Sequence, residues 1–113
     1  MDIERSTAPC HGIRFSVSEN GVEIGRTTLF ILENDLHARP FGFIEDVYVD
    51  PMHRGKGIAQ ELVKKALTEA KNLTCYKVIL TSRFEKEKVH ELYKKLGFAL
   101  QGYEFRVDFK ASS

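Results

Sequence analysis

The chain has 113 residues, 42% of them hydrophobic and 11% aromatic, with 17 Lys and Arg set against 16 Asp and Glu. A chain of this length forms one domain and buries enough apolar surface to stand without disulfides or a metal. Its formal net charge of +1 argues against a strongly basic nucleic-acid footprint and an acidic solvating tail.

The 2 cysteines, Cys10 and Cys75, make neither a disulfide framework nor a C-x-x-C pair, which fits a reducing compartment. No apolar run reaches the roughly 18 residues of a membrane span. Residues 1–12 lack the apolar centre of a signal peptide. The expectation is a soluble, cytoplasmic protein that uses neither membrane nor nucleic acid as a partner.

In chain order, residues 1–12 (MDIERSTAPCHG) show no periodicity and contain Pro9 and Gly12, so a flexible N-terminal segment is expected. The folded domain is expected to span 13–113. Ile13, Phe15 and Val17 alternate with polar neighbours, as in a half-buried strand. Glu19-Asn20-Gly21 supplies the turn chemistry of a hairpin. A second strand runs from Val22 through Leu32, with Gly25 expected as a bulge. Residues 34–42 read as a loop, and a third strand spans Phe43 to Val49, stopped by Asp50-Pro51.

Apolar residues at Ile58, Ala59, Leu62, Val63, Ala66, Leu67 and Ala70 trace one face of a helix. Tyr76 to Thr81 is a short buried strand, and a second helix is expected over about Glu85 to Leu96. Gly97 stands where a left-handed cap belongs, with Phe98 as its apolar contact. Phe105, Val107 and Phe109 alternate with Glu104, Arg106 and Asp108 in a final strand. The order β-β-β-α-β-α-β describes a mixed-sheet α/β domain.

Chemistry concentrates in the turn from the third strand into the first helix, Val49-Asp50-Pro51-Met52-His53-Arg54-Gly55-Lys56-Gly57-Ile58-Ala59. Amides at a helix N-terminus have no partner inside the helix, and glycines let a bulky anion reach them. Arg54 and Lys56 add positive charge there, so the turn suits a phosphate or pyrophosphate. A tight turn with solvated cations is the alternative. The G-x-x-x-x-G-K-S/T loop is absent, and Gln60 stands where a G-x-G-x-x-G fingerprint needs its last glycine.

Arg54-x-x-Gly57-x-Ala59, together with Leu92-Tyr93-Lys94-Lys95-Leu96-Gly97-Phe98, resembles the paired signatures of the GNAT superfamily of acetyl-CoA-dependent N-acetyltransferases. The resemblance runs from about Ile13 to Phe109. The stretches Gly42 to Val47 and Cys75 to Leu80 look like glucosamine-phosphate N-acetyltransferases within that superfamily.

The resemblance implies that Arg54, Gly55, Lys56, Gly57, Ile58 and Ala59 bind the pyrophosphate of acetyl-CoA. It implies that Val47, Tyr48 and Val49 border the pantetheine arm, with an amide of Val47 or Tyr48 polarising the acetyl carbonyl. Tyr93 corresponds to a tyrosine often proposed to protonate the departing thiolate and to border the cofactor, although its helical spacing also suits a core residue.

The acceptor amine has to lose a proton before it attacks. Glu45, and after it Asp46, are the candidate bases, and simple alternation puts the two on opposite sides of the sheet. His37, Arg39 and His53 are expected as solvated loop side chains, Cys75 as a packing residue, and no metal is expected.

Two features depart from the family pattern. Its usual strand and helices before the first hairpin are missing here, so the acceptor side is expected to be open, completed by a second subunit, or shaped for a protein amine. Lys86 and Val89 stand where many members carry Asn and Ala, and Lys86 or Lys88 is expected to meet a cofactor phosphate in place of the Asn. The expected activity is acetyl transfer to a small-molecule or protein amine. A CoA-binding or protein-interaction module without an acceptor site is the alternative.

Overall fold

The computed structural model describes residues 1–110. The chain divides into two compact units, Met1–Leu80 and Thr81–Ser113.

The first unit is built on a four-stranded sheet in the order β1-β2-β3-β4. Its strands are β1 (Cys10–Glu19), β2 (Val22–Leu32), β3 (Phe41–Val49) and β4 (Val78–Ile79), with helix α1 (Ile58–Asn72) between β3 and β4. β1, β2 and β3 are antiparallel, whereas β4 runs parallel to β3. The β3-α1-β4 segment is therefore the crossover unit that the strand–helix–strand pattern implies.

β1 begins at Cys10 rather than Ile13. Cys10 pairs with Leu32 and His11 with Ile31, while the Glu33 amide donates to the Pro9 carbonyl at 3.2 Å. The end of the expected flexible segment is thus recruited by the exposed ladder of a long β2, which needs backbone partners more than it needs apolar alternation. Asn20 and Gly21 take φ of 52° and 78°, the left-handed pair of a two-residue hairpin turn.

The expected bulge beside Gly25 is present, but its extra residue is Ile24: Val17 pairs with Gly25 and Ser18 with Glu23. Gly25 serves a different purpose. A Cβ there would lie 2.8 Å from Ile58 Cγ2 and 3.3 Å from Leu62 Cδ1, so α1 rests directly on the β2 backbone.

α1 buries Leu62, Val63, Ala66 and Ala70. Facing them, Leu29, Ile31 and Ile44 are buried from the sheet. Fully burying one such aliphatic side chain stabilises the fold by about 1.5–3 kcal/mol. The two alanines let the helix come close, and Gly42 opposite them would place a Cβ 3.7 Å from the Ala70 Cβ. Thr27 is the buried polar residue of this core, and its hydroxyl donates to the Glu45 carbonyl at 3.1 Å, as a buried polar group requires.

The second unit contains α2 (Glu87–Lys95). Gly97 follows its last turn with φ 101°. The Gly97 amide donates to the Lys94 carbonyl and the Phe98 amide to the Tyr93 carbonyl, both at 3.0 Å. The Phe98 ring sits 5.8 Å from that of Tyr93, the apolar contact that accompanies such a cap.

The final strand expected over Phe105 to Phe109 does not form. Residues 98–110 carry no regular structure, and Phe105, Val107 and Phe109 are exposed. A strand draws its stability from a neighbour, and among the described residues none pairs with this segment. β4 is likewise shorter than the expected Tyr76 to Thr81 strand. Its approach to β3 begins with Tyr76 N–H to Pro40 O at 3.0 Å and Gly42 N–H to Lys77 O at 2.9 Å.

Candidate functional site

The turn leading out of β3 is pinned before it reaches its glycines. Asp50 caps a 3-10 turn over Pro51–His53, its Oδ2 accepting from the Met52 amide at 3.1 Å, with Pro51 opening the turn. An Asp-Pro pair is a helix-start signal in its own right. The His53 ring bridges two carboxylates, with Nδ1 2.9 Å from Asp50 Oδ2 and Nε2 3.3 Å from Glu19 Oε2. The β1–β2 hairpin is thereby tied to the turn. The His53 hydrogen bond, and then the Met52 amide, hold the Asp50 carboxyl below its ordinary pKa. Arg54 Nε donates back to the Val49 carbonyl at 3.2 Å.

Gly55 and Gly57 then take φ of 80° and 83°. Gly57 is the N-cap of α1 and supplies no side-chain cap. The Glu61 amide donates to the Gly57 carbonyl at 3.1 Å, so the amides of Ile58, Ala59 and Gln60 precede the first intrahelical donor and have no helical partner. A Cβ built on Gly55 or Gly57 would meet nothing within 4 Å, and Arg54 and Lys56 are exposed beside them. Uncapped amides, open space and two cations together fit a pyrophosphate.

β3 supplies the second part of the site. β4 pairs with it at Gly42 and Phe43, so among the described residues no strand pairs with that edge from Ile44 to Val49. On its other edge the ladder to β2 is interrupted: Arg26 pairs with Tyr48 and Thr28 with Glu45. Asp46 and Val47 therefore both stand opposite Thr27 in a β-bulge, with Asp46 at φ 59°.

The bulge corrects the alternation expected for the two carboxylates. Glu45 lies opposite Thr28, on the face away from α1, and the extra residue returns Asp46 to that same face. There Asp46 Oδ2 accepts from Arg26 Nε at 2.7 Å. The Arg26 guanidinium also lies 4.4 Å from the Tyr48 ring centroid. Among the described residues Glu45 takes part in no ion pair. The bulge thus leaves one carboxylate neutralised and the other available.

Tyr93 lies on α2 in the second unit, its ring buried. Burial pushes its hydroxyl pKa above the ordinary value, and its hydroxyl makes no side-chain hydrogen bond with the described residues. Moving a proton from a phenol at about 10 to a thiolate whose thiol sits at about 8.5 is uphill by about 2 kcal/mol. Burial adds to that cost, so Tyr93 is better suited to donating a hydrogen bond than to releasing its proton.

The remaining candidates have structural surroundings. The His37 ring lies 4.1 Å from that of Tyr76, and Arg39 is exposed. Burial raises the pKa of the Cys75 thiol, which weakens it as a nucleophile. Lys86 precedes α2 at its N-cap, and Lys88 lies in its first turn. Sequence reasoning missed Arg26 and Thr27, whose strand gives no motif signal, and the capping role of Asp50, which the Asp-Pro pair does signal.

Residues 2–98 match the model of the acetyltransferase (GNAT) family, and the chain belongs to that family. It is 41% identical over 70 residues to glucosamine 6-phosphate N-acetyltransferase of Trypanosoma brucei brucei, a match covering 62% of this chain and 46% of that one. It is 32% identical over 65 residues to aminoglycoside N(6')-acetyltransferase type 1 of Acinetobacter haemolyticus, covering 58% and 45%. The chain thus spans about half the length of these curated relatives. A crystal structure of a Trypanosoma brucei acetyltransferase superposes with a TM-score of 0.78 at 34% identity, covering 90% of this chain and 70% of that one.

Proposed function

We propose that this chain transfers an acetyl group from acetyl-CoA directly to the primary amine of an acceptor. The observation that carries the reading is the pairing of an uncapped, glycine-lined helix start with a β3 edge that, among the described residues, has no strand partner from Ile44 to Val49. The amides of the turn from Arg54 to Ala59 hold the pyrophosphate, with Arg54 and Lys56 screening its charge. The free edge at Val47, Tyr48 and Val49 hydrogen-bonds the pantetheine arm, and an amide of Val47 or Tyr48 donates to the acetyl oxygen as it gains negative charge. Glu45, free of ion pairs among the described residues, takes the proton from the acceptor ammonium. The C–S bond breaks as the tetrahedral adduct collapses, the Tyr93 hydroxyl donates a hydrogen bond to the departing thiolate, and the thiolate takes up the second proton that the nitrogen sheds as the amide forms.

The acceptor belongs to a broad class of primary amines, since the relatives named above are called acetyltransferases of an amino-sugar phosphate and of aminoglycosides. Two free thiols, Cys10 and Cys75, suit a reducing, cytoplasmic setting. A second copy of the chain is part of the proposal, because the alternating residues of 104–109 are left exposed.

The decisive measurement is release of free CoA thiol from acetyl-CoA across a panel of amino sugars, polyamines, amino acids and peptide lysines. Amine-dependent release is expected. Acetyl-CoA binding without release from any of these acceptors would favour a CoA-binding module instead, and absence of binding at millimolar cofactor would remove the whole reading.

A further inference from the structure

β3 leaves its regular ladder at one place, and two side chains from β2 hold the departure. Asp46 sits there at φ 59°, a left-handed conformation that only glycine adopts without cost. On the α1 side, buried Thr27 donates its hydroxyl to the Glu45 carbonyl at 3.1 Å, giving an acceptor a partner where the ladder is disturbed. On the opposite face, Arg26 reaches both sides of Val47. Its Nε donates to Asp46 Oδ2 at 2.7 Å, and its guanidinium lies over the Tyr48 ring at 4.4 Å. Glu23 Oε2, 3.6 Å from Arg26 Nη1, steadies the fork from behind, and Arg14 holds Glu23 in turn at 2.7 Å.

We propose that Arg26 is a positioning residue for acyl transfer: by gripping Asp46 and Tyr48 at once, it keeps the bulge in the shape that aims the Val47 or Tyr48 amide at the acetyl carbonyl. The proposal rests on the acetyl-CoA reading of β3 given above.

Arg26 and Asp46 are partly exposed, and an ion pair of that kind contributes little to global stability. Its value is local. Oxyanion donors act only within about 2.7–3.1 Å of the developing charge, and a misplacement of about 1 Å is enough to cost on the order of a hundredfold in rate. The planar fork matters because one end engages a carboxylate while the face covers a ring, which an ammonium does not reproduce.

The test is a double-mutant cycle of Arg26→Met and Asp46→Gly, with Arg26→Lys as the conservative control. Arg26→Met is expected to lower kcat by about tenfold or more, with the KM for acetyl-CoA moving by less than about threefold. Asp46→Gly removes the carboxylate end of the grip and the left-handed penalty, so adding Arg26→Met to it is expected to cost less than in the wild-type background, leaving only the share carried by the Tyr48 contact. Such non-additivity marks a coupled pair. Arg26→Lys is expected to fall between wild type and Met.

Hydrogen–deuterium exchange of the free protein over residues 41–49 reads the bulge without any substrate. Arg26→Met should speed exchange at Asp46 to Tyr48, and should add less once Asp46 is Gly. Wild-type kcat in Arg26→Met, an undiminished loss in the Asp46→Gly background, or exchange untouched by Arg26→Met would each overturn the proposal. If the wild-type protein releases no thiol with any amine, the acetyl-transfer reading falls with that result, and the exchange arm still decides whether Arg26 braces the bulge.

Discussion

Gly57 is asked for two things at once: a φ of 83° and a backbone with nothing in front of it. The two requirements separate in the variant Gly57→Ala. The left-handed angle costs an L-residue about 1 kcal/mol of stability, which is a modest loss. The added methyl projects into space that the protein itself leaves open, so its larger effect falls on whatever occupies that space. Acetyl-CoA affinity by calorimetry is expected to drop by about tenfold or more, beyond anything the stability change explains.

Tyr93 has the opposite character. Its ring is buried, and burial raises its hydroxyl pKa above the ordinary value. Tyr93→Phe preserves the contact with Phe98 and removes only the donor. We expect kcat to fall by about tenfold with little change in acetyl-CoA affinity, and an unchanged kcat would take Tyr93 out of the chemistry.

Among the elements, the turn into α1 and the β1–β2 hairpin meet at Asp50, His53 and Glu19. Because the folded-state pKa of Asp50 lies below its ordinary value, its contribution to stability is present above the usual carboxylate range and is lost as pH falls through the lowered value. Acid unfolding followed by circular dichroism should therefore show a steeper loss below about pH 4 in the wild type than in Asp50→Asn.

Both helices and the hairpin were legible because each has its own short-range signature: apolar spacing in α1, the Gly97-Phe98 cap in α2, Asn20-Gly21 in the turn. The β3 bulge was not. It depends on a threonine hydroxyl and an arginine from the neighbouring strand, and period-2 counting along β3 alone put Glu45 and Asp46 on opposite faces. The glycine turn was readable residue by residue because one continuous segment builds it, whereas Arg26, on the strand next door, left no local trace.

For the molecule as a whole, the alternation of residues 104–109 was readable, but a strand cannot be deduced from one side of a ladder. Leu100, Tyr103, Phe105, Val107 and Phe109 are all exposed. Exposed apolar surface of this kind marks a place where another surface belongs. Light scattering coupled to size exclusion is expected to give a dimer at micromolar concentration, and Phe105→Asp with Phe109→Asp to give a monomer. A wild-type monomer across that range would dispose of the second copy.

One small vacancy reaches further than its size suggests. Gly25 pairs with Val49 at the end of β3 and carries Ile58, the first residue of α1, on its bare backbone. The two ends of the glycine turn are therefore gauged from a single point, as a hinge is set by its pin. A methyl at this position would find a side-chain atom at 2.8 Å, and the helix would have to lift. Its first amides would lift with it, changing the shape of the glycine turn without substituting any residue of the turn. The proposed cofactor site can thus be tuned from within β2, at a position outside the turn itself.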